Sequence, residues 1–269
     1  MFQLLRQLMP QQKVQRTRTF HRAVRKLAIL GIESQYPNFT KAKVRQEFIK
    51  MCLGAEWIKV LSNSLDWEKI VIADPIELAQ KIASILLPLN IPYVVGGSVA
   101  SSLLGENRST QDLDLVIDLE ARIAPEFIDV MSSEFYISES AVMEAIAQSR
   151  TAPRKSSFNV IYLPSLEKAH IFVMDSDDPF SASVMSRRQL YPVSGLTEEG
   201  IYIYSPEDIV LQKLSWYKLT PRASQKQWRD VLGVLKVQGQ GLDRAYLNQW
   251  ALTLKLTDLL EEALLQSGH

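Results

Sequence analysis

Apolar positions recur along this chain at two different periods, and the change of period marks the elements. Between residues 18 and 54, Phe20, Val24, Leu27 and Ala28, then Val44, Phe48 and Ile49, fall at the spacing of one helix face. Tyr36, Pro37 and Asn38 interrupt that run, Thr40 stands where an N-cap belongs, and Leu53 with Gly54 closes it, so a helical pair is predicted. A further helix is predicted over 76–87, opened by Pro75 and stopped by Pro88. The pattern then changes. Tyr93, Val94 and Val95 form a short apolar strand that runs into Gly96 and Gly97. Ser98 is placed to cap a short helix over 99–104. From residue 112 acids and apolar residues alternate: Asp112 and Asp114 share one face of a strand, while Leu113 and Leu115 point to the core.

Downstream, helices are predicted at 125–131 and 141–148, a short strand at 135–137, and a strand pair at 158–163 and 169–174. A strand at 201–204 leads to Ser205, Pro206, Glu207 and Asp208, a cap, a pre-set φ and two acids at the positive end of a helix reaching about residue 219. Helices at 228–237, 242–256 and 258–265 complete the chain. The polar run at 63–66 reads as a linker.

The totals narrow the class. Of 269 residues, 46% are hydrophobic and 22% charged, enough apolar material for a substantial core. Lys plus Arg and Asp plus Glu both number 30, so net charge offers no general case for nucleic acid. One region departs from that balance: residues 1–32 carry Arg6, Lys13, Arg16, Arg18, Arg22, Arg25 and Lys26, with no acid before Glu33. Two readings stay open for it, a basic helix touching nucleic acid and an amphipathic helix with a solvated basic face. A lone Cys52 excludes an internal disulfide or a multi-cysteine zinc site. No stretch supplies 18 apolar residues and no signal-peptide pattern opens the chain, so a cytoplasmic protein without a membrane partner is expected.

The chemistry concentrates between residues 93 and 118. Two carboxylates on one strand face repel unless a cation lies between them, and hard oxygen ligands suit Mg²⁺ or Mn²⁺. The strand, the Gly96–Gly97–Ser98 turn, the helix and the Asp112-x-Asp114 strand together resemble the signature of the nucleotidyltransferase superfamily, the DNA polymerase beta-like fold. With Arg108 and Thr110 they resemble bacterial nucleotidyltransferase-like proteins related to the AbiEii toxins. The stretches 205–214 and 227–235 are similar to later elements of the same families, so the resemblance runs over roughly 75–265.

It implies an α+β fold, a small mixed sheet flanked by helices, with an N-terminal helical segment and C-terminal helices. The implied divisions are 1–69 helical, 70–205 catalytic and 206–269 C-terminal. It also implies a nucleoside triphosphate as substrate, with phosphates at Gly96, Gly97 and Ser98, basic help from Arg108 and Lys213, and Mg²⁺ or Mn²⁺ on Asp112 and Asp114. The acceptor would be an RNA, protein or small-molecule hydroxyl, and the AbiEii likeness adds an antitoxin-type partner. Such families carry a third Asp or Glu on the next strand. Here that position is His170, and imidazole brings no negative charge when neutral. Asp175 and Glu167 are the nearest acids, each facing the wrong side of a regular strand. Two functions are therefore expected to compete, a working transferase and a protein of that fold with weak or lost catalysis that binds nucleotide, nucleic acid or protein. Arg154, Lys155 and Arg229 are further candidate cations.

Overall fold

Alternation at 112–117 becomes the middle strand of a seven-stranded mixed sheet. In the computed structural model, which describes residues 2–61, 74–108, 110, 112–152, 155–193, 200–219 and 225–268, the strands are β1 (Tyr93–Val95), β2 (Asp112–Ile117), β3 (Phe135–Tyr136), β4 (Ser157–Tyr162), β5 (Glu167–Val173), β6 (Gln189–Tyr191) and β7 (Ile201–Ile203). Their order is β3-β4-β5-β2-β1-β7-β6. β2 lies antiparallel to β1 and parallel to β5, β1 lies parallel to β7, and the outer pairs are antiparallel. The expected linker at 63–66, the boundary at 69/70 and Arg154 lie outside the described residues.

The helices are α1 (Phe2–Gln7), α2 (Pro10–Gln35), α3 (Lys41–Leu53), α4 (Ala55–Leu61), α5 (Pro75–Leu86), α6 (Gly97–Leu104), α7 (Ala124–Ser132), α8 (Glu139–Gln148), α9 (Pro179–Arg187), α10 (Pro206–Leu219), α11 (Gln225–Gln238), α12 (Arg244–Thr253) and α13 (Thr257–Ser267). The result is the expected α+β arrangement, a mixed sheet flanked by helices. Local chemistry explains most starts. Thr40 Oγ1 accepts from the Lys43 amide at 3.3 Å, and Ser138 Oγ from that of Ala141 at 3.4 Å. Ser205 Oγ accepts from the Asp208 amide at 3.1 Å and donates to the Asp208 carboxylate at 2.7 Å, opening α10 as the sequence predicts. Four elements were not expected, α1, α4, α9 and β6. Asp178 caps α9 by accepting from the Ser181 amide at 2.8 Å, and Pro179 occupies its first turn.

One sheet face is sealed. Leu113, Leu115 and Ile117 of β2, with Ala169, Ile171 and Val173 of β5, are buried, and α5 and α8 pack on this side. The opposite face carries Asp112, Asp114 and Val116 beside Lys168, His170 and Phe172. Among the described residues no helix is long and apolar enough to cross a membrane.

The basic N-terminal region spends much of its charge inside the protein. Arg18 and Arg22 both pair with Asp74 and Glu77 at the start of α5. Arg25 pairs with buried Glu167 of β5, and Arg6 donates to the carbonyls of Lys236 and Val237 on α11. Neither sequence reading describes this fully: these four arginines dock helices rather than face only solvent.

Candidate active-site cleft

The site begins at a backbone turn. β1 ends at Val95, Gly96 is the N-cap of α6, and Gly97 takes φ +57°, a left-handed conformation that favours glycine. The Gly96 amide donates to the Asp114 carbonyl at 2.9 Å, which ties the turn to β2. A Cβ on Gly97 would lie 1.9 Å from Asp114 Oδ2. The turn is thus built around the Asp114 side chain. Ser98 does not act as the expected cap. Gly96 holds that position with no side-chain hydrogen bond, while Ser98 sits inside the first turn, buried, its Oγ without a partner among the described residues.

Asp112 and Asp114 share the open face, as expected from their spacing. Their surroundings differ. Asp112 is paired with Lys168 Nζ at 3.1 Å, its directly opposite residue on β5. Among the described residues Asp114 has no ion pair with Lys or Arg; the nearest basic atom is His170 Nδ1 at 3.9 Å. Burial, opposed by Lys213 and reinforced by Asp112, pushes the Asp114 carboxyl up to about 6. His170 lies beside Asp114 in the position expected for a third carboxylate, with Nε2 2.9 Å from Ser157 Oγ and the ring tilted over Phe172. Burial, then the Lys168 charge, lowers its pKa and favours neutral imidazole. Glu167 faces the sealed side, buried and paired with Arg25, while Asp175 lies beyond β5, 4.0 Å from Arg150.

The two expected basic residues meet on a third. Asp230 of α11 accepts from Arg108 Nε at 2.7 Å and from Lys213 Nζ at 2.8 Å. Burial works to raise the Asp230 carboxyl, but the Arg108 hydrogen bond and the Lys213 charge outweigh it and hold it below the ordinary carboxylate range. Burial lowers the Lys213 ammonium, with Asp230 opposing. Nothing in the sequence flagged Asp230, since its partnership with Arg108 spans 122 positions. Arg229, also considered, is exposed and lies 3.9 Å from Glu106.

A cleft of ≈ 300 Å³ lies over these groups, lined by Gly96, Gly97, Asp114, His170, Lys213 and Trp216. Gln212 and Gln227 add two amides that sequence reasoning missed. Ser98, Arg108 and Asp112 are not among its lining residues. No group of three or more His, Cys, Asp or Glu among the described residues is placed to hold a metal by itself. The donor set nevertheless fits one hard divalent cation: two partly exposed carboxylates offer oxygens from one face, and Mg²⁺ characteristically takes its other ligands from phosphate and water.

No protein-family model and no curated protein matches the chain. Among solved structures it is similar to an antigenic nucleotidyltransferase-like protein from Paracoccidioides brasiliensis, with 17% identity, TM-score 0.45, and coverage of 71% of this chain and 91% of that one. It is also similar to ANT(2")-Ia in complex with adenylyl-2"-tobramycin, with 12% identity, TM-score 0.41, and coverage of 67% and 96%.

Proposed function

We propose that this protein is a metal-dependent nucleotidyltransferase that moves a nucleoside monophosphate from a nucleoside triphosphate to a hydroxyl acceptor. The observation that carries the reading is Asp114: a carboxylate wedged against the Gly96–Gly97 turn, without a Lys or Arg partner among the described residues, on the same face as Asp112 and in one cleft with Lys213. Asp112 and Asp114 would hold Mg²⁺ or Mn²⁺, which when bound offsets triphosphate charge and lowers the pKa of an attacking hydroxyl. The turn lets phosphate approach backbone at the positive end of α6, and no side-chain cap competes there. Lys213 supplies positive charge from the opposite wall, with Arg108 behind it on Asp230. In the transfer the acceptor oxygen bonds to the α-phosphorus, the bond to the bridging oxygen breaks, and pyrophosphate leaves. The hydroxyl proton goes to His170 Nδ1, which lies near Asp114 on the cleft wall.

Calorimetric titration of nucleoside triphosphates with and without Mg²⁺ tests this directly. Mg²⁺ should tighten binding to the wild type, and Asp112→Asn with Asp114→Asn should abolish the tightening. Equal metal dependence in both proteins would defeat the two-carboxylate site.

A second reading, a nucleotide binder with little transfer, draws on His170 at the third position and on Lys168 already neutralising Asp112. Release of pyrophosphate in the presence of a mixed acceptor pool separates the two.

A further inference from the structure

The open sheet face changes chemistry in a single step. Gly96, just beyond β1, lies beside Asp114 of β2, which is opposite His170 of β5, and two residues away Val94, Val116 and Phe172 lie abreast across β1, β2 and β5. Two residues of strand advance about 7 Å. Over this apolar row lies a second cavity of ≈ 230 Å³, walled by Phe180, Val184 and Met185 of α9 and by Trp216 and Leu219 of α10. It shares Val116, Phe172, Gln212 and Trp216 with the catalytic cleft, so the two cavities adjoin along these side chains.

Its polar groups are mostly engaged already. Gln212 Nε2 donates to the Tyr204 hydroxyl at 2.9 Å, Ser215 Oγ donates to the Leu211 carbonyl at 2.9 Å, and Asp175 Oδ1 accepts from the Asp177 amide at 3.1 Å. A nucleobase carries hydrogen-bonding edges that would be buried here with few partners, at a cost in binding. A hydrocarbon or plain aromatic body loses nothing of that kind and gains from leaving water.

Resting on the transferase reading, we infer that the acceptor is an apolar alcohol: its alkyl or aromatic body fills the cavity between the sheet and α9–α10, and its hydroxyl reaches the Asp114–His170 row. The bond made is then between that hydroxyl oxygen and the α-phosphorus, with pyrophosphate leaving and the proton on His170.

Binding of 1-naphthol and 1-octanol to the full chain, followed by calorimetry, tests the assignment. Both should bind the wild type. Ser181→Trp, which fills the cavity, and Leu219→Arg, at an exposed position on its rim, should each weaken binding at least about tenfold while leaving the affinity for Mg²⁺ with triphosphate unchanged. The Asp112→Asn, Asp114→Asn protein should bind both alcohols as the wild type does. If that protein also keeps metal-assisted triphosphate binding, the transferase reading fails while the apolar cavity stands. The cavity assignment is overturned if neither alcohol binds, if both variants bind them undiminished, or if nucleosides displace them and Ser181→Trp weakens triphosphate binding equally. The last result would make the cavity a nucleobase site.

Discussion

Replacing Gly97 with alanine probes the link between the turn and Asp114. Two costs add. A Cβ in the left-handed region costs about 1–2 kcal/mol, and Gly97 has φ +57°. The new methyl would also lie 1.9 Å from Asp114 Oδ2 and 2.7 Å from its Cγ, so the carboxylate must swing away or the backbone must shift, at about 1–3 kcal/mol for overpacking. Together these predict a loss of about 2–5 kcal/mol. At roughly 2–4 °C per kcal/mol for a chain of this size, the melting temperature should fall by about 4–20 °C. Gly31→Ala is the control: it lies in α2 with nothing within 4 Å of the added Cβ, and alanine there should stabilise by about 1 kcal/mol.

A double-mutant cycle with Asp114→Ala separates the two costs. Removing the carboxylate relieves the closest overlap and leaves the backbone strain, so Gly97→Ala should cost about 1–2 kcal/mol less in that background. Thermal melts of the four proteins give the coupling. An equal cost in both backgrounds would show that Gly97 does not make room for Asp114, and the central contact of the proposed site would be wrong.

Other groups make separate predictions. Asp230→Asn removes the buried charge shared by Arg108 and Lys213 and should cost about 3–5 kcal/mol in urea denaturation; a loss below about 1 kcal/mol would mean the triad is not held as described. Asp114 has its folded pKa raised to about 6, so the stability it contributes is present below the unfolded value near 3.8 and is lost as pH rises through about 6. Wild-type melting temperature should accordingly fall between pH 4 and 7 relative to Asp114→Asn, and parallel curves would refute the shift. His170→Asp supplies negative charge and a proton acceptor at the third position and should raise Mg²⁺-dependent transfer from radiolabelled triphosphate, whereas a lower rate would mark the imidazole as already tuned to its task.

Short-range chemistry was legible from the sequence. Period-two alternation placed Asp112 and Asp114 on one strand face, and the paired glycines marked the turn beside them. Caps at Thr40, Ser138 and Ser205 were readable because their partners lie three residues away. Ser98 misled because Gly96, two residues before it, took the capping position and drew the helix start back by two residues. Helix α9 carried a signal in Asp178–Pro179 followed by Phe180, Val184 and Met185, but few apolar positions made its period weak. The pairings of Lys168 with Asp112, Asp230 with Arg108, and Arg25 with Glu167 could not be read, since each depends on elements meeting in three dimensions. The basic N-terminal helix shows the same limit: its charge was plain, and its partners were not.

Those long-range pairs decide how charge is arranged over the cleft. Lys168 neutralises Asp112, so that pair contributes little beyond its immediate surroundings. Lys213 of α10 shares the Asp230 carboxylate with Arg108, so the α10 side of the cleft carries an ammonium whose counter-charge is divided between two cations. Asp114, across the same cleft, has no Lys or Arg ion partner among the described residues and is negative when ionised. The cleft therefore presents a negative point at the glycine turn and a positive wall opposite. A free cation would be drawn to the first and repelled by the second, and a free phosphate the reverse. On the proposed function, Asp114 would hold the divalent cation and Lys213 would face the phosphate charge, so a cation–triphosphate complex would suit both. Partial burial strengthens each attraction relative to open water. Lys168 adds a switchable element, since a metal that takes Asp112 as a second ligand frees that ammonium for phosphate. His170 fits the same scheme by staying neutral: a third carboxylate would deepen the negative point, while with the imidazole a metal in the proposed site would be held by two acids and a substrate.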